Sequence, residues 1–479
     1  MGDRLGPYRA KRDFGATPEP PPTTEADEAR AQPEARYVIQ EHSASAMHWD
    51  LRLEHEGTLA SWAVPKGIPP DPKRNHLAVR TEDHPLEYLD FEGDIPEGSY
   101  GAGTMRVWDR GTYELHKFRD DEVMVTFHGE RLHGRYVLFR TGGKNWMIHR
   151  MDPPQDAHRE AMPERIEPML ARTGPLPPED GRWAYEIKWD GVRAIGYGEG
   201  GRLRLASRNG RDITPRYPEL RELGRALGSR EAVLDGEVVA FGADGRPSFQ
   251  RLQSRMHVAS DAAVRRLARS EPVVYVIFDL LFLDGRSLLA LDYAERRARL
   301  LALGLDGPAW QAPAHHLGDG AALLAATRAQ GLEGIVAKRL DCPYTPGRRS
   351  PGWVKVKNVR RTDVVIGGWL PGEGNRAGRL GALVVGFYAE GSLRYAGRVG
   401  TGFDARELER LGGLLSGRAR DATPFTGRQP PRQTRFVEPE LVCAVEFTEW
   451  THAGTLRQPS YKGLRDDVEP EAVLGPAEE

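Results

Sequence analysis

Short runs of alternating apolar and polar residues, each cut off within a few positions by glycine, proline or aspartate, constrain this chain most. RYVIQEH (36–42), HWDLRLE (48–54), TLASWAVP (58–65), TMRVWD (104–109), VMVTFHG (123–129) and RYVLFR (135–140) all have this form. Side chains alternate across a strand, so such runs each bury one face and belong to a compact barrel or sandwich. The pattern returns in DVVIGGWL (363–370), LGALVVGFY (380–388), LRYAGRV (393–399) and LVCAVEFTEW (441–450), which suits a small five-stranded barrel. Between them, strands such as AVLDGEVVAF (232–241) and VVYVIFDLLFL (273–283) mix with helical stretches, ALDYAERRARLLAL (290–303) and GAALLAATRAQ (320–330). That mixture predicts an α+β domain.

With 479 residues, two or three cores are expected. The sequence divides as 1–34, a mobile N-terminal arm; 35–151, the first β domain; 152–165, a mobile linker with no rigid interface; 166–361, the α+β domain; 362–470, the second barrel; and 471–479, a tail. Residues 15–34 are rich in Pro, Glu and Ala with few large apolar side chains, the composition of a segment that buries little. Cys342 and Cys443 are the only cysteines, which rules out a disulfide framework or a zinc ribbon and fits a reducing cytosol. No signal-peptide core opens the chain, and VVYVIFDLLFL is too short, and broken by Asp279, to span a membrane. A net charge of −2 leaves room for local basic grooves but predicts no overall pull toward nucleic acid.

Basic residues are 57 arginines against 10 lysines, and from Asn145 onward only Lys188, Lys338, Lys355, Lys357 and Lys462 are lysine. Arginine is always charged, whereas lysine can lose its proton and become a nucleophile. A lysine retained in this background points to chemistry arginine cannot do. Lys188 lies in YEIKWDGVR (185–193), which alone reads equally as a strand ending in an Asp-Gly turn. Five segments follow in order: SRNG (207–210), LDGEVVAF (234–241), FDLLFLDG (278–285), EGIVAKR (333–339) and WVKVKN (353–358). RQPSYKGLRDD (457–467) comes last.

This series, from Ile166 to Asp467, closely resembles the covalent nucleotidyltransferases, specifically ATP-dependent DNA ligases. The resemblance implies a central ATP-grasp-like adenylation domain and a C-terminal OB-fold. It makes Lys188 the nucleophile toward the α-phosphate of ATP, with pyrophosphate leaving. Glu186 would read the adenine edge, Arg193 and Arg208 contact the nucleotide or the nick, and Phe278 stack on adenine. Glu237 would bind ribose or metal, and Glu333 would bind Mg²⁺ or Mn²⁺. Lys338, Arg349, Lys355 and Lys357 would surround the phosphates, where fixed positive charge stabilises phosphoryl transfer. Arg457, Lys462 and Arg465 would contact phosphate or DNA. Asp190, Asp235 and Asp279 read equally as functional carboxylates or as turn formers. The chain departs from the family at Val468, where a lysine usually orients the leaving pyrophosphate, so slower adenylylation is expected.

Nine of the 14 histidines fall in the first 150 residues. In QEHSASAMHWDLRLEHEG (40–57), His48, Asp50 and Arg52 alternate on one face, with Trp49, Leu51 and Leu53 on the other. Two imidazoles and a carboxylate form a metal-ligand set with open positions, and an adjacent arginine can clamp a phosphate. With KRDF (11–14), AVPKGIP (63–69) and LAVRTEDHPLEYLDFEGDIPEGSYGAGTMRVWD (77–109), this region resembles the phosphoesterase domain of bacterial ligase D, the non-homologous end-joining ligase. That resemblance implies Mn²⁺-dependent trimming of a 3′-ribonucleotide or 3′-phosphate, with His42, His48 and Asp50 as ligands. His84 would act near the phosphate with Tyr88 beside it. Arg52, Lys66 and Arg80 would bind phosphate, and Arg12, Asp13 and Glu19 would belong to an arm that closes on the site.

The combined expectation is a monomeric cytoplasmic, nucleoid-associated enzyme that processes and joins DNA ends. The resemblance also implies the break-binding protein Ku as partner and a polymerase acting in trans. Two alternatives stay open: an RNA ligase or capping guanylyltransferase, and a catalytically weak end-bridging scaffold.

Overall fold

The computed structural model describes residues 3–22, 35–178, 180–256, 258, 260–358, 360–372, 380–451 and 453–475. The chain splits into two compact units. One comprises Met1–Arg172, Pro177–Gly318 and Ala337–Val354; the other comprises Thr173–Leu176, Asp319–Val336 and Lys355–Glu479. The expected boundary at 361 therefore differs from the observed division, which groups 319–336 and 355–361 with the C-terminal barrel.

In the first unit, the N-terminal strands are β1 (Ala35–Ser43), β2 (Met47–His55), β3 (Thr58–Val64), β4 (His76–Arg80), β5 (Gly93–Ile95), β6 (Gly103–Phe118), β7 (Glu122–Gly129), β8 (His133–Gly142) and β9 (Asn145–Arg150). They pair antiparallel in the order β1-β2-β3-β4-β9-β8-β7-β6, and β6 returns to β1 to close an eight-stranded barrel, with β5 added outside β6. Closure removes the exposed edges that an open sheet of this length would leave. The alternation sorts each strand. Tyr37, Ile39, Trp49, Leu51, Leu53, Trp62 and Phe127 pack one core in the barrel interior. Val38, Leu59 and Met105 face the other way and build a second core with Tyr8, Tyr88, Leu89 and Phe91.

That second core changes the reading of the N-terminal arm. Helix α1 (Gly6–Ala10) places Tyr8 fully buried, Phe14 packs beside it, and the Arg12–Glu19 ion pair is almost wholly covered. Residues 3–22 are thus a strap packed on the barrel, not a mobile arm, because their few large side chains fall where the outer wall is apolar. The rest of the expected arm, residues 23–34, lies outside the described residues.

The segment 152–165 is also not a free linker. Arg135 N donates to Asp152 Oδ2 at 2.7 Å on the barrel side. On the other side, Asp156 pairs with Arg286 at 2.7 Å, Glu160 N donates to Gly285 O at 2.7 Å, and Arg159 pairs with Glu231. Trp108 Nε1 donates to Ser229 Oγ at 3.0 Å, joining the barrel directly to the following domain. The expectation of no interface fails because the segment's charged residues take a backbone hydrogen bond on the barrel and ion pairs on the following domain.

The α+β part carries β10 (Leu170–Thr173), β11 (Trp183–Ile187), β12 (Val192–Glu199), β13 (Arg202–Ser207), β14 (Ala232–Ala240) and β15 (Val273–Leu283). The last four of these form an antiparallel sheet ordered β13-β12-β14-β15. Helices α2 (Arg221–Leu227) and α3 (Phe249–Met256) pack against β13 and β14, α4 (Asp261–Ser270) packs against α3, and α5 (Tyr293–Ala302) packs against β15. Two glycines of the ordered motifs are sterically required. A Cβ on Gly191 would lie 2.2 Å from Val238 O, and one on Gly236 would lie 2.5 Å from Val276 O. Only glycine permits the backbones to approach this closely.

The second unit contains an OB-fold built from antiparallel strands Arg360–Pro371, Leu380–Ala389, Ser392–Val399, Arg435–Phe447 and Ser460–Arg465, with helix Ala405–Ser416. Val364, Ile366, Leu383, Val385, Val399, Leu411, Cys443 and Val445 make its core. Among the described residues, no helix is long and apolar enough to cross a membrane.

Candidate active sites

The first site grows from the β1–β2 register. His42 lies opposite His48, Gln40 opposite Asp50 and Val38 opposite Arg52. One ligand atom each from His42, His48 and Asp50 fall within 4.8 Å of one another; among the described residues no other group of three such side chains does so. His42 Nε2 donates to Gly101 O at 2.9 Å, and His48 Nδ1 donates to Ala46 O at 3.0 Å. Those bonds fix both tautomers and turn the other ring nitrogens, as lone pairs, toward the carboxylate: His42 Nδ1 is 3.5 Å and His48 Nε2 3.7 Å from Asp50. His42 Nδ1 is buried without a hydrogen-bond partner. Two lone pairs facing a carboxylate repel, and a divalent cation between them removes the conflict. The donor set therefore fits a metal.

Arg52 orders the site from below. It donates to Asp50 at 3.0 Å, to Gln40 Oε1 at 2.7 Å and to Ser61 Oγ at 3.0 Å. Burial opposes charge on Asp50, yet the Arg52 guanidinium holds its carboxyl well below the usual range. Above lies a layer from the strap. Arg12 donates to Glu19 at 2.6 Å and to Glu82 at 3.1 Å, and Tyr88 OH donates to Glu19. His84 Nδ1 donates to Glu82 O at 2.9 Å, leaving its Nε2 to accept from Arg12 at 3.3 Å. Burial, then Arg52 and Arg12, pull the His84 imidazole far below its ordinary pKa, so it is neutral.

His42, His48, Asp50, Arg52, His84, Tyr88, Arg12 and Glu19 thus come together. Three expected members do not. Asp13 is exposed and closes a turn on Gly15 N at 3.0 Å. Lys66 borders a cavity with Trp49 and His76, on the barrel-interior side of β2. Arg80 pairs with Asp83 and lies 4.6 Å over the Trp62 ring. A nearer partner captures Asp13 and Arg80, and Lys66 lies on the other face of the barrel wall. Gln40, Ser61, Glu82 and Tyr8 were missed. Gln40 was readable: it lies two positions before His42, on the same strand face.

The second site centres on Lys188, half-buried just past the end of β11. Arg193 grips Asp235 with two bonds of 2.6 Å, and Tyr344 OH adds a third at 2.6 Å. Glu237 faces Arg193 across β12–β14. Burial pushes the Glu237 carboxyl up to about 7, against the pull of Arg193 and Lys188. Lys338 pairs with Glu186 at 2.7 Å and lies 4.3 Å from the Phe278 ring centre and 4.4 Å from that of Trp353. Tyr293 OH also donates to Glu186. Arg193 covers Phe278 at 4.6 Å. Lys188, Glu186, Arg193, Glu237, Phe278 and Lys338 therefore belong to one neighbourhood.

Asp235 and Asp279 are not turn formers. Both are fully buried within β14 and β15, opposite each other in register, and Asp279 is gripped by Arg296 at 2.8 and 3.0 Å. Arg208 projects exposed from the 207–210 turn, and Arg349 donates to Ala171 O at 2.6 Å. In the second unit, Glu333 pairs with Lys357 at 3.2 Å, Lys357 also reaches Gln458 at 3.0 Å, and Lys355 lies on the same strand. Arg457 pairs with Glu449, Lys462 with Glu446 at 2.6 Å, and Arg465 with Asp467 at 2.7 Å. Val468 is partly buried and packs against the apolar cluster that includes Val365, Val442 and Val473.

Three family descriptions match the chain: the DNA ligase D 3′-phosphoesterase domain over 40–140, the ATP-dependent DNA ligase domain over 168–357, and the ATP-dependent DNA ligase C-terminal region over 376–468. The multifunctional non-homologous end joining protein LigD of Mycobacterium bovis is 44% identical over 99% of this chain and 61% of its own length. The chain belongs to the ligase D family. The LigD of Pseudomonas aeruginosa is 37% identical over 98% of this chain and 61% of its own length. The chain thus spans about three-fifths of the curated relatives it matches. The solved ligase domain of M. tuberculosis LigD is 40% identical, covers 64% of this chain and 98% of that one, and has a TM-score of 0.39.

Proposed function

We propose that this ligase D chain processes and seals DNA ends with two separate sites. At the second site, Lys188 Nζ loses a proton and attacks the α-phosphate of ATP; the N–P bond forms and pyrophosphate leaves. The adenylate then passes to a 5′-phosphate, and a 3′-hydroxyl displaces AMP to close the strand. Arg193 holds its place through Asp235, and the surrounding arginines and lysines stabilise charge developing on phosphorus. Glu333, Lys355, Lys357, Arg457, Lys462 and Arg465 serve phosphate, metal or DNA from the second unit, with Mg²⁺ or Mn²⁺.

At the first site, His42, His48 and Asp50 would hold Mn²⁺, which supplies Lewis-acid polarisation of a phosphoester. Arg52 positions Asp50 and faces the phosphate, and neutral His84, held by Arg12 and Glu82, is placed for proton transfer. Removal of a terminal 3′-phosphate or 3′-ribonucleotide leaves the 3′-hydroxyl that sealing consumes. The proposed setting is the bacterial cytoplasm, on DNA ends held by Ku and filled by a polymerase. The observation that carries this reading is the metal-ligand triad on the barrel wall in the same chain as the Lys188 neighbourhood.

Incubation with α-labelled ATP or GTP tests it. Label from ATP alone, absent in Lys188→Ala, is expected. Label from GTP points instead to a capping enzyme, and no label from either points to a scaffold.

A further inference from the structure

The barrel has a second mouth, which none of the chemistry above uses. There β2 ends at His55, β4 at Arg80, β6 at Phe118 and β8 at Gly142. A cavity of about 310 Å³ opens at this end. From His48 to His55 strand β2 runs seven residues, at about 3.3 Å each roughly 23 Å. The cavity is therefore well separated from the metal-ligand triad, at the opposite end of the same strand.

Its floor is aromatic but closed. Trp62 and Trp146 are only 1% and 5% exposed, and His55 stacks on Phe118 with ring centres 3.7 Å apart and planes at 12°. Its rim is cationic. Arg4, Arg80, Arg119, Arg140 and Lys144 line it, against Asp83 and Asp120. Asp83 is already taken by Arg80. Arg140 is held by a bond from its Nε to Gly143 O at 2.8 Å. Among the described residues, no ion pair engages Arg119, Arg140 or Lys144. A fixed surplus of positive charge thus sits in a chain whose net charge is −2.

We propose that this mouth binds backbone phosphates of the DNA duplex whose 3′ end occupies the His42–His48–Asp50 site. The proposal rests on the 3′-end-processing reading. Backbone rather than base contact follows from the floor: Trp62 and Trp146 are covered, and His55 and Phe118 already stack on each other, so the floor offers a base no open indole to stack on. The rim instead offers guanidinium and ammonium groups, which bind phosphate without reading sequence. The separation of roughly 23 Å matches about seven base pairs at about 3.4 Å each, so the bound phosphates fall about that far from the processed end.

The test uses the full chain carrying Arg119→Ala, Arg140→Ala and Lys144→Ala together, with unchanged melting temperature as the folding control. Release of 3′-phosphate is measured on primer–templates of about five and about fifteen base pairs, only the longer reaching the mouth. For the long duplex KM rises about tenfold at unchanged kcat, while KM for the short duplex stays the same. The slope of log binding constant against log salt, measured by anisotropy on the long duplex, falls by about 0.9 for each phosphate that the variant no longer neutralises. An unchanged KM on the long duplex, or an equal rise on both lengths, overturns the proposal. If the parent chain released no phosphate while the salt-slope difference persisted, the processing reading would fall and the DNA-binding mouth would stand.

Discussion

The two sites set carboxylates against cations in opposite ways. On the barrel wall one carboxylate, Asp50, is shared by Arg52, His42 and His48, and two ring lone pairs point at it. In the adenylation domain each carboxylate has its own cation: Asp235 has Arg193, Asp279 has Arg296 and Glu186 has Lys338. The first arrangement has an excess of donors and is completed by a cation. The second is internally balanced, with a protonatable Glu237 beside Lys188. The difference teaches that the metal-ligand triad is assembled by the register of one hairpin, whereas the nucleotide site is assembled by tertiary packing of distant segments.

If the contrast is real, the sites fail independently. Lys188→Ala should abolish self-adenylylation and sealing, since no other group supplies the N–P bond, while 3′-phosphate release stays within about twofold. His42→Ala should lower 3′-phosphate release by about a thousandfold or more and leave sealing of a clean nick unchanged. Parallel loss of both activities in either variant would break the contrast.

The next largest effect probes internal balance. Asp279→Ala leaves Arg296 fully buried without its carboxylate, at a cost of about 3–5 kcal/mol. Thermal unfolding should show a lowered transition for this variant. A change within about 0.5 kcal/mol would mean that Asp279–Arg296 is not a balanced buried pair.

A smaller effect is expected from the layer over the barrel site. Glu19→Gln keeps the shape but weakens the grip on Arg12 and Tyr88, and through Arg12 the placement of His84. Outer partners of this kind are worth about 10- to 100-fold. The loss should appear in kcat for 3′-phosphate release, with sealing untouched. A loss confined to KM would assign Glu19 to substrate binding instead.

How much could be read beforehand follows the same contrast. His48, Asp50 and Arg52 lie within five positions of one strand, so period-two alternation was enough to put them on one face, and Gln40 was open to the same reasoning. Lys188, Asp235, Phe278 and Lys338 have no common period; only their ordered motifs joined them. Asp235 and Asp279 read equally as functional carboxylates or as turn formers, because nothing local decided between the two. Their arginine partners, Arg193 and Arg296, are 42 and 17 residues away, beyond any local pattern. Lys66 and Arg80 were assigned to the phosphate by resemblance alone, and the barrel wall carries one to the interior side and the other to the far mouth. The packed strap was hidden because its packing, Tyr8 and Phe14 against the outer wall, is set by barrel closure.

Val468 gives the smallest expected effect and extends the contrast to the C-terminal barrel. Its neighbours in sequence, Arg465 and Asp467, are paired with each other, and Lys462 is paired with Glu446. Val468 itself is partly buried against the apolar cluster that includes Val365, Val442 and Val473. Val468→Lys exchanges this packing for a charge on a long, flexible stem that can reach solvent, at a cost of about 1 kcal/mol in stability. The gain is a cation where the resemblance implies one that orients pyrophosphate, so self-adenylylation should accelerate severalfold in single-turnover assays with labelled ATP, while 3′-phosphate release does not move. An unchanged rate with the stability cost present would show that the cations already in this segment supply what the reaction needs, and that position 468 serves packing alone.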